Sequence, residues 1–300
     1  MDGASVVVAG ATGNLGGRIA RALLARGAGV RALVRHGTPR EKFERLRGLG
    51  VSTFLVDFRN APQLAAGCSG ASCVVSALAG LSDVIVDTQT ALLDAAVSAG
   101  VARFIPSDYS IDFTKLPPGH NRNLDLRRAF HQRLDQAHIS PVTIFCGAFA
   151  DLLTGQMPVI LFKPKRVLCW GDADQRMDFT AIDDTAAFTA SAALDLSAPR
   201  FLRVAGDQLS ASELTTVVSE VTGTPFRLLR AGSLGTLGAL IRLARALAPG
   251  RDVLYPAWQG MQYMRDMFDG RAKLQTFDND RYPGIRWSTV RDVLSARHSS

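Results

Sequence analysis

The run Val6-Val7-Val8-Ala9 passes directly into Gly10-Ala11-Thr12-Gly13-Asn14-Leu15-Gly16-Gly17, and Leu15, Ile19, Leu23 and Leu24 follow a helical period. An apolar run without alternation suits a strand buried on both faces, so the chain opens as strand, glycine turn, helix. Gly27 lies where that helix would stop. Each glycine of the turn has its own task in this context. Gly10 permits the tight turn, Gly13 lets the backbone approach a pyrophosphate, and Gly16 lets the helix lie close to the strand. Thr12, Asn14 and Leu15 would cover that pyrophosphate, toward which the helix turns its free N–H groups and positive dipole end. A merely tight strand–helix turn is the plainer alternative.

The rhythm continues. Val30–Val34, Val51–Val56, Cys73–Ala77, Val101–Ile105 and Val142–Phe145 read as further strands. Helices are expected over about Val84–Ala99, capped by Ser82 or Asp83, and over Leu124–Ala137. Repeated strand–helix units predict an α/β protein with a Rossmann-type, doubly wound parallel sheet. Past residue 150 the rhythm loosens into a strand Val167–Trp170, a helix Asp183–Leu194, a strand Phe201–Val204 and a helix Ser212–Val221. From Leu228 to Leu247 a helix packed on its own domain is expected in preference to a membrane-surface helix. Met261, Met264 and Met267 recur at helical spacing and read as core.

At 47% hydrophobic and 20% charged residues, the 300-residue chain is neither a disordered tail nor a coiled coil. The net charge of +7 is spread without a run of five like charges, which fits a small anionic ligand better than nucleic acid. Cys68, Cys73, Cys146 and Cys169 have neither disulfide-framework nor zinc-site spacing. Asp172, Asp174 and Asp178 hint at a calcium loop, but Met177 stands where glycine is required, so they read as turn residues and no metal site is expected. Ala231-Gly232-Ser233-Leu234-Gly235 lacks the first glycine of a hydrolase elbow. No stretch reaches the roughly 18 uncharged apolar residues of a membrane span, and Val6–Ala9 is too short for a signal-peptide core. The expected home is the cytoplasm.

The second strand ends at Arg35, 19 residues after Gly16. An acidic residue near this distance would accept hydrogen bonds from the ribose 2′-hydroxyl of NAD. Here Arg35 is followed by His36, Arg40 and Lys42. A guanidinium suits a 2′-phosphate by charge and fork geometry, so NADPH is the expected cofactor, preferred over NAD. A solvated surface arginine is the alternative.

The glycine spacing, the strand ending in Leu33-Val34-Arg35, and Arg103-Phe-Ile-Pro-Ser-Asp-Tyr109 together resemble the NmrA-like and isoflavone-reductase-like atypical short-chain dehydrogenases. Gly147-Ala-Phe149-Ala, Gly171-Asp172, Asp183-Asp184-Thr-Ala and Ala205-Gly206-Asp207 through Glu213-Leu are similar to later parts of that family's pattern, over about residues 5–290. The resemblance implies a NADP-binding Rossmann domain at 1–155 and, at 156–300, mainly a smaller C-terminal α/β substrate domain, with about 165–205 returning to the Rossmann sheet. It implies NADPH-dependent reductases in some members and redox-sensing transcriptional regulators in others. It also implies that Ser76, Ala77 and Leu78, with Pro106, Ser107, Asp108 and Tyr109, line the nicotinamide and its ribose.

The Tyr-x-x-x-Lys of conventional short-chain reductases is absent: Phe113, Gln259, Met267 and Arg286 stand four residues after Tyr109, Tyr255, Tyr263 and Tyr282. Isoflavone-reductase-like enzymes instead carry a lysine in the helix before the sixth strand, a position that falls on Arg127 here. Arginine keeps its proton, so Arg127 can stabilise an oxyanion but is a poor proton donor. His131, at i+4 on the same helix face, has the pKa range to supply the proton. A solvated basic face is the alternative for this pair, and Tyr109, Lys115 and His120 are weaker catalytic candidates. The reading is therefore a NADPH-dependent reductase of a small, aromatic or conjugated carbonyl, enone or quinone. It needs a small-molecule substrate, no nucleic acid and no membrane, and allows a homodimer. The alternative is a non-catalytic NAD(P)-sensing regulator with a protein partner.

Overall fold

The computed structural model describes residues 4–298. Val6, Val7 and Val8 are fully buried, as a strand covered on both faces must be, and form the middle of β1 (Ser5–Ala9). The chain then alternates through α1 (Asn14–Leu24), β2 (Gly29–Arg35), α2 (Arg40–Gly48), β3 (Ser52–Val56), α3 (Ala61–Cys68), β4 (Cys73–Ser76), α4 (Gln89–Ser98), β5 (Arg103–Ile105), α5 (Arg122–Leu134) and β6 (Ser140–Pro141). The six strands form one parallel sheet of order β3-β2-β1-β4-β5-β6. Strand order reverses between β1 and β4, where Ala9 lies opposite Ser76, so the glycine turn and the loop after β4 adjoin at the carboxyl edge. Val7, Leu33, Val74 and Phe104 of the sheet share a core with Leu64, Leu92 and Phe130 of the helices.

The chain continues through β7 (Thr143–Phe145), β8 (Ala148–Phe149), β9 (Ile160–Leu161), β10 (Arg166–Trp170), β11 (Met177–Thr180), α6 (Ile182–Leu194), β12 (Phe201–Arg203), β13 (Asp207–Leu209), α7 (Ala211–Thr222), β14 (Arg227–Gly232), α8 (Leu234–Leu247), α9 (Ala257–Asp269) and α10 (Val290–His298). β14-β10-β9 and β13-β11-β8 form small sheets, and β12 pairs with β7. Two compact units result. The first holds the chain through Asp108, Leu126–Ile144 and Thr185–Leu202; the second holds Tyr109–Asp125, Phe145–Asp184 and the chain from Arg203 on.

The division therefore does not fall at residue 155, and no strand of 165–205 joins the six-stranded sheet. Most of α6 returns to the first unit, for a reason on β5. Arg103 is 3% exposed, and its guanidinium donates to the carbonyls of Ala192 and Ala193 in the last turn of α6, the end that favours a cation.

Other local expectations give way to partners distant in sequence. The helix expected from Val84 begins as a π-helical stretch, Asp83–Thr88, that leads into α4 without a side-chain cap from Ser82. Leu228 and Leu229 mimic a helical stripe but lie in β14 beside β10, and the helix starts only after Ser233, whose Oγ accepts the Thr236 N–H at 3.1 Å. Met264 and Met267 of α9 are buried core residues. Asp172 is a turn residue that accepts the Asp174 N–H. Asp178 instead sits within β11, 4% exposed, where it accepts from Leu274 N–H and Gln208 Nε2. The four cysteines are buried and form no disulfide among the described residues, and burial pushes the thiols of Cys68 and Cys73 up to about 11 and about 12. Among the described residues, no helix is long and apolar enough to cross a membrane, and no group of three His, Cys, Asp or Glu residues could hold a metal ion.

Candidate functional site

The glycine turn is built by backbone contact. Gly10 adopts φ +86°, and a Cβ there would strike the Ala77 carbonyl oxygen; a Cβ on Gly16 would strike that of Gly10. Only hydrogen fits at either place. Gly13 plays a different part: its N–H donates to the Gly10 carbonyl at 2.9 Å, and its extended backbone starts α1 without any side-chain cap. No acidic residue stands in the first turn of α1. The leading N–H groups therefore face a bare rim, with Gly13 and Asn14 exposed and Thr12 and Leu15 half-buried. The Asn14 side chain turns back to accept from Arg18 Nε at 3.0 Å. This cradle fits the pyrophosphate of a dinucleotide.

Beside it, Arg35 ends β2 and Lys42 lies on α2, both exposed. Neither has a carboxylate partner among the described residues. Arg45, which sequence reasoning passed over, reaches from α2 to the Thr12 carbonyl at 3.4 Å. Its only sequence signal is its place one helical turn beyond Lys42.

The loops after β4 and β5 are tied to each other more than they are displayed. The buried hydroxyl of Ser76 has no hydrogen-bond partner among the described residues, while Ala77 and Leu78 are half-buried. Pro106 is buried, and Ser107 is 5% exposed with its Oγ donating to the Leu78 carbonyl at 2.6 Å. The Ser107 N–H donates to Gln89 Oε1 at 2.9 Å, and Gln89 Nε2 donates to the Ile85 carbonyl. Gln89 was also missed; its signal is a polar residue amid apolar neighbours on a helix.

Arg127 Nε donates to the Ser107 carbonyl at 3.0 Å, so this guanidinium braces the loop after β5. His131 is not the open helix-face group that the i+4 spacing suggests. It is 7% exposed, and its Nε2 lies 2.6 Å from Asp108 Oδ2 while its Nδ1 takes Arg200 Nη2 at 3.3 Å. A guanidinium only donates, so Nδ1 accepts and Nε2 carries the hydrogen toward Asp108. Thr143 Oγ1 also donates to Asp108, and Arg200 reaches Thr143 and Asp135. Asp108 is itself fully buried, so its carboxylate serves this network and is not displayed at the sheet edge.

The remaining candidates belong to the second unit. Tyr109 is half-buried with its hydroxyl shielded from solvent. Lys115 is exposed and donates to the Lys273 carbonyl at 2.7 Å. His120 stands 3.2 Å from the buried Asp266 carboxylate, which burial pushes up to about 6.

A parallel sheet with this strand order and this glycine turn defines a Rossmann-type α/β protein. The NmrA-like family model matches residues 3–237, and the chain belongs to that family. Pinoresinol reductase 1 of Arabidopsis thaliana is 32% identical, covering 73% of this chain and 74% of its own. A bifunctional pinoresinol-lariciresinol reductase of Linum perenne is 28% identical, covering 74% and 76%. The solved structure of AtPrR2 with NADP+ and (+)pinoresinol matches with a TM-score of 0.82 at 23% identity, covering 99% of each chain. A leucoanthocyanidin reductase–NADPH complex from Vitis vinifera matches at 0.82 and 19%, covering 99% of this chain and 100% of that one.

Proposed function

We propose that this chain is an NADPH-dependent oxidoreductase that reduces a small aromatic or conjugated carbonyl, enone or quinone. The observation that carries the proposal is the bare glycine cradle of Gly10, Gly13 and Gly16 with the exposed cation Arg35 at the end of the next strand, which has no carboxylate partner among the described residues. The N–H groups of Asn14, Leu15 and Gly16 would hold the pyrophosphate, and Arg35 with Lys42 the 2′-phosphate. Ser76, Ala77, Leu78 and Pro106 would line the nicotinamide end, with Ser107 and Asp108 fixing those loops from behind. The chemistry that such a cofactor supplies is a hydride equivalent.

Arg127 is the group we assign to the substrate oxygen, where a permanent cation lowers the energy of developing negative charge. It cannot give up a proton, and both ring nitrogens of His131 are engaged, which leaves protonation to water. The pinoresinol reductases among its relatives support an aromatic substrate. We assign the protein to the cytoplasm, with no nucleic-acid or membrane partner and at most a second copy of the chain.

The engagement of Arg127 by Ser107 and of His131 by Asp108 and Arg200 favours one other reading. In that reading the protein is a NAD(P) sensor without turnover that presents a surface to a protein partner.

One experiment separates the two. NADPH fluorescence is followed on adding the protein, then over time with a panel of quinones, enones and aromatic aldehydes. A binding change followed by protein-dependent decay is expected. Binding without decay favours the sensor, and no binding overturns both readings.

A further inference from the structure

The second unit contains a cavity of about 350 Å³ that no group assigned above lines. Its apolar walls are Phe162, Val218, Val221, Phe226 and Leu294. The Phe162 and Phe226 rings meet edge to face with centroids 6.1 Å apart, and Phe226 is fixed by its N–H, which donates to Ser219 Oγ at 2.9 Å. Threonines and a glycine fill part of the remaining lining, and two exposed cations reach it, Lys165 from the turn between β9 and β10 and Arg297 from α10. The Arg297 guanidinium stands 5.9 Å from the centre of the Phe162 ring.

Charge decides what the cavity can take. No carboxylate lines it. The acids on neighbouring elements are engaged elsewhere: Glu213 pairs with Arg176 and Glu220 with Arg291, Asp292 accepts the Thr289 N–H, and Asp151 accepts the Ile182 N–H. Among the described residues neither Lys165 nor Arg297 has a carboxylate partner. An apolar, aromatic floor beneath two uncompensated cations is complementary to a compound with an aromatic body and one anionic end. A volume of this size lies at the small end of the range of small-molecule sites, roughly 300–1,000 Å³.

Lys165 also holds φ +54°, one of two non-glycine residues in the left-handed region among those described. Asparagine adopts that conformation more readily than lysine.

We propose that this cavity is a binding site for a small aromatic carboxylate. Both cations hold the carboxylate, and the phenylalanine-lined walls hold the ring system.

The test is calorimetric titration of the full chain with naphthoate, and with naphthylmethanol as the uncharged counterpart. Saturable, one-site binding of naphthoate is expected, weakened about tenfold by Arg297→Gln and by Lys165→Asn, with the alcohol binding more weakly and indifferent to both changes. Lys165→Asn is also expected to keep or raise the melting temperature while it weakens binding; a merely structural lysine would lower both or neither. NADPH titration of the same variants is expected to be unchanged. Naphthoate binding that ignores both substitutions, that matches the alcohol, or that fails to saturate in the millimolar range overturns the proposal.

Discussion

Arg35 bears most of the discrimination that the nucleotide reading requires. It is exposed, ends β2, and faces no carboxylate among the described residues. Arg35→Asp is expected to weaken NADPH binding by about tenfold or more while sparing or improving NADH binding, because the substitution repels a 2′-phosphate and accepts from a 2′-hydroxyl. Fluorescence titration with both cofactors checks this, and equal losses would contradict it. Gly10 and Gly16 were legible as turn glycines because their constraint is local backbone, and Arg35 was legible as the end of the second strand. Arg127 and His131 were legible as positions but not as environments. Their partners, Ser107 and Arg200, lie 20 and 69 residues away along the chain, and no local pattern signals them.

At the scale of elements, periodicity located β1–β5 with α1, α4 and α5 to within a few residues, but it did not signal α2 or α3, and the sixth strand expected at Val142–Phe145 is instead Ser140–Pro141, with Thr143–Phe145 pairing with β12. It failed where pairing outweighs pattern, as at β14 beside β10, and it did not signal the π-helical stretch before α4. The join between the segment leading into α5 and helix α9 is another case. There Asn121 Nδ2 donates to Asp266 Oδ2 at 2.8 Å, Gln259 Nε2 donates to Asn121 Oδ1 at 2.8 Å, and the Arg122 N–H donates to Gln262 Oε1. Burial holds the Asp266 carboxyl at about 6, above its ordinary 3.8. Between those values the folded chain keeps a proton that the unfolded chain has released, so stability falls as pH rises through that window, by at most about 3 kcal/mol. Asp266→Asn preserves an acceptor for Asn121 and removes the charge. It is expected to raise the melting temperature at pH 7 relative to the parent and to change it little at pH 4. A loss of stability at pH 7 would show that the carboxylate is held by its partners more strongly than burial opposes it.

For the whole molecule, the consequential fact is that neither unit is continuous in the chain. A fragment ending at residue 155 keeps all six strands of the parallel sheet but loses Thr185–Leu202, and with it the carbonyls that receive Arg103. That loss also removes the buried Phe188, Ala190, Ala192 and Ala193 from the core of the first unit and leaves the apolar surface they cover open to water. The fragment is expected to show no cooperative thermal transition by circular dichroism; a sharp transition would refute the dependence on α6. The resemblance put a cut at 155, near where the strand–helix rhythm loosens, whereas the units are defined by contacts that only the folded chain makes. The same discontinuity orders events on the ribosome. Roughly a hundred residues separate β5 from the end of the segment that closes over it, and translation at about 5–20 residues per second spaces their emergence by roughly 5–20 s. Through that interval the nascent sheet waits without the carbonyls that receive Arg103.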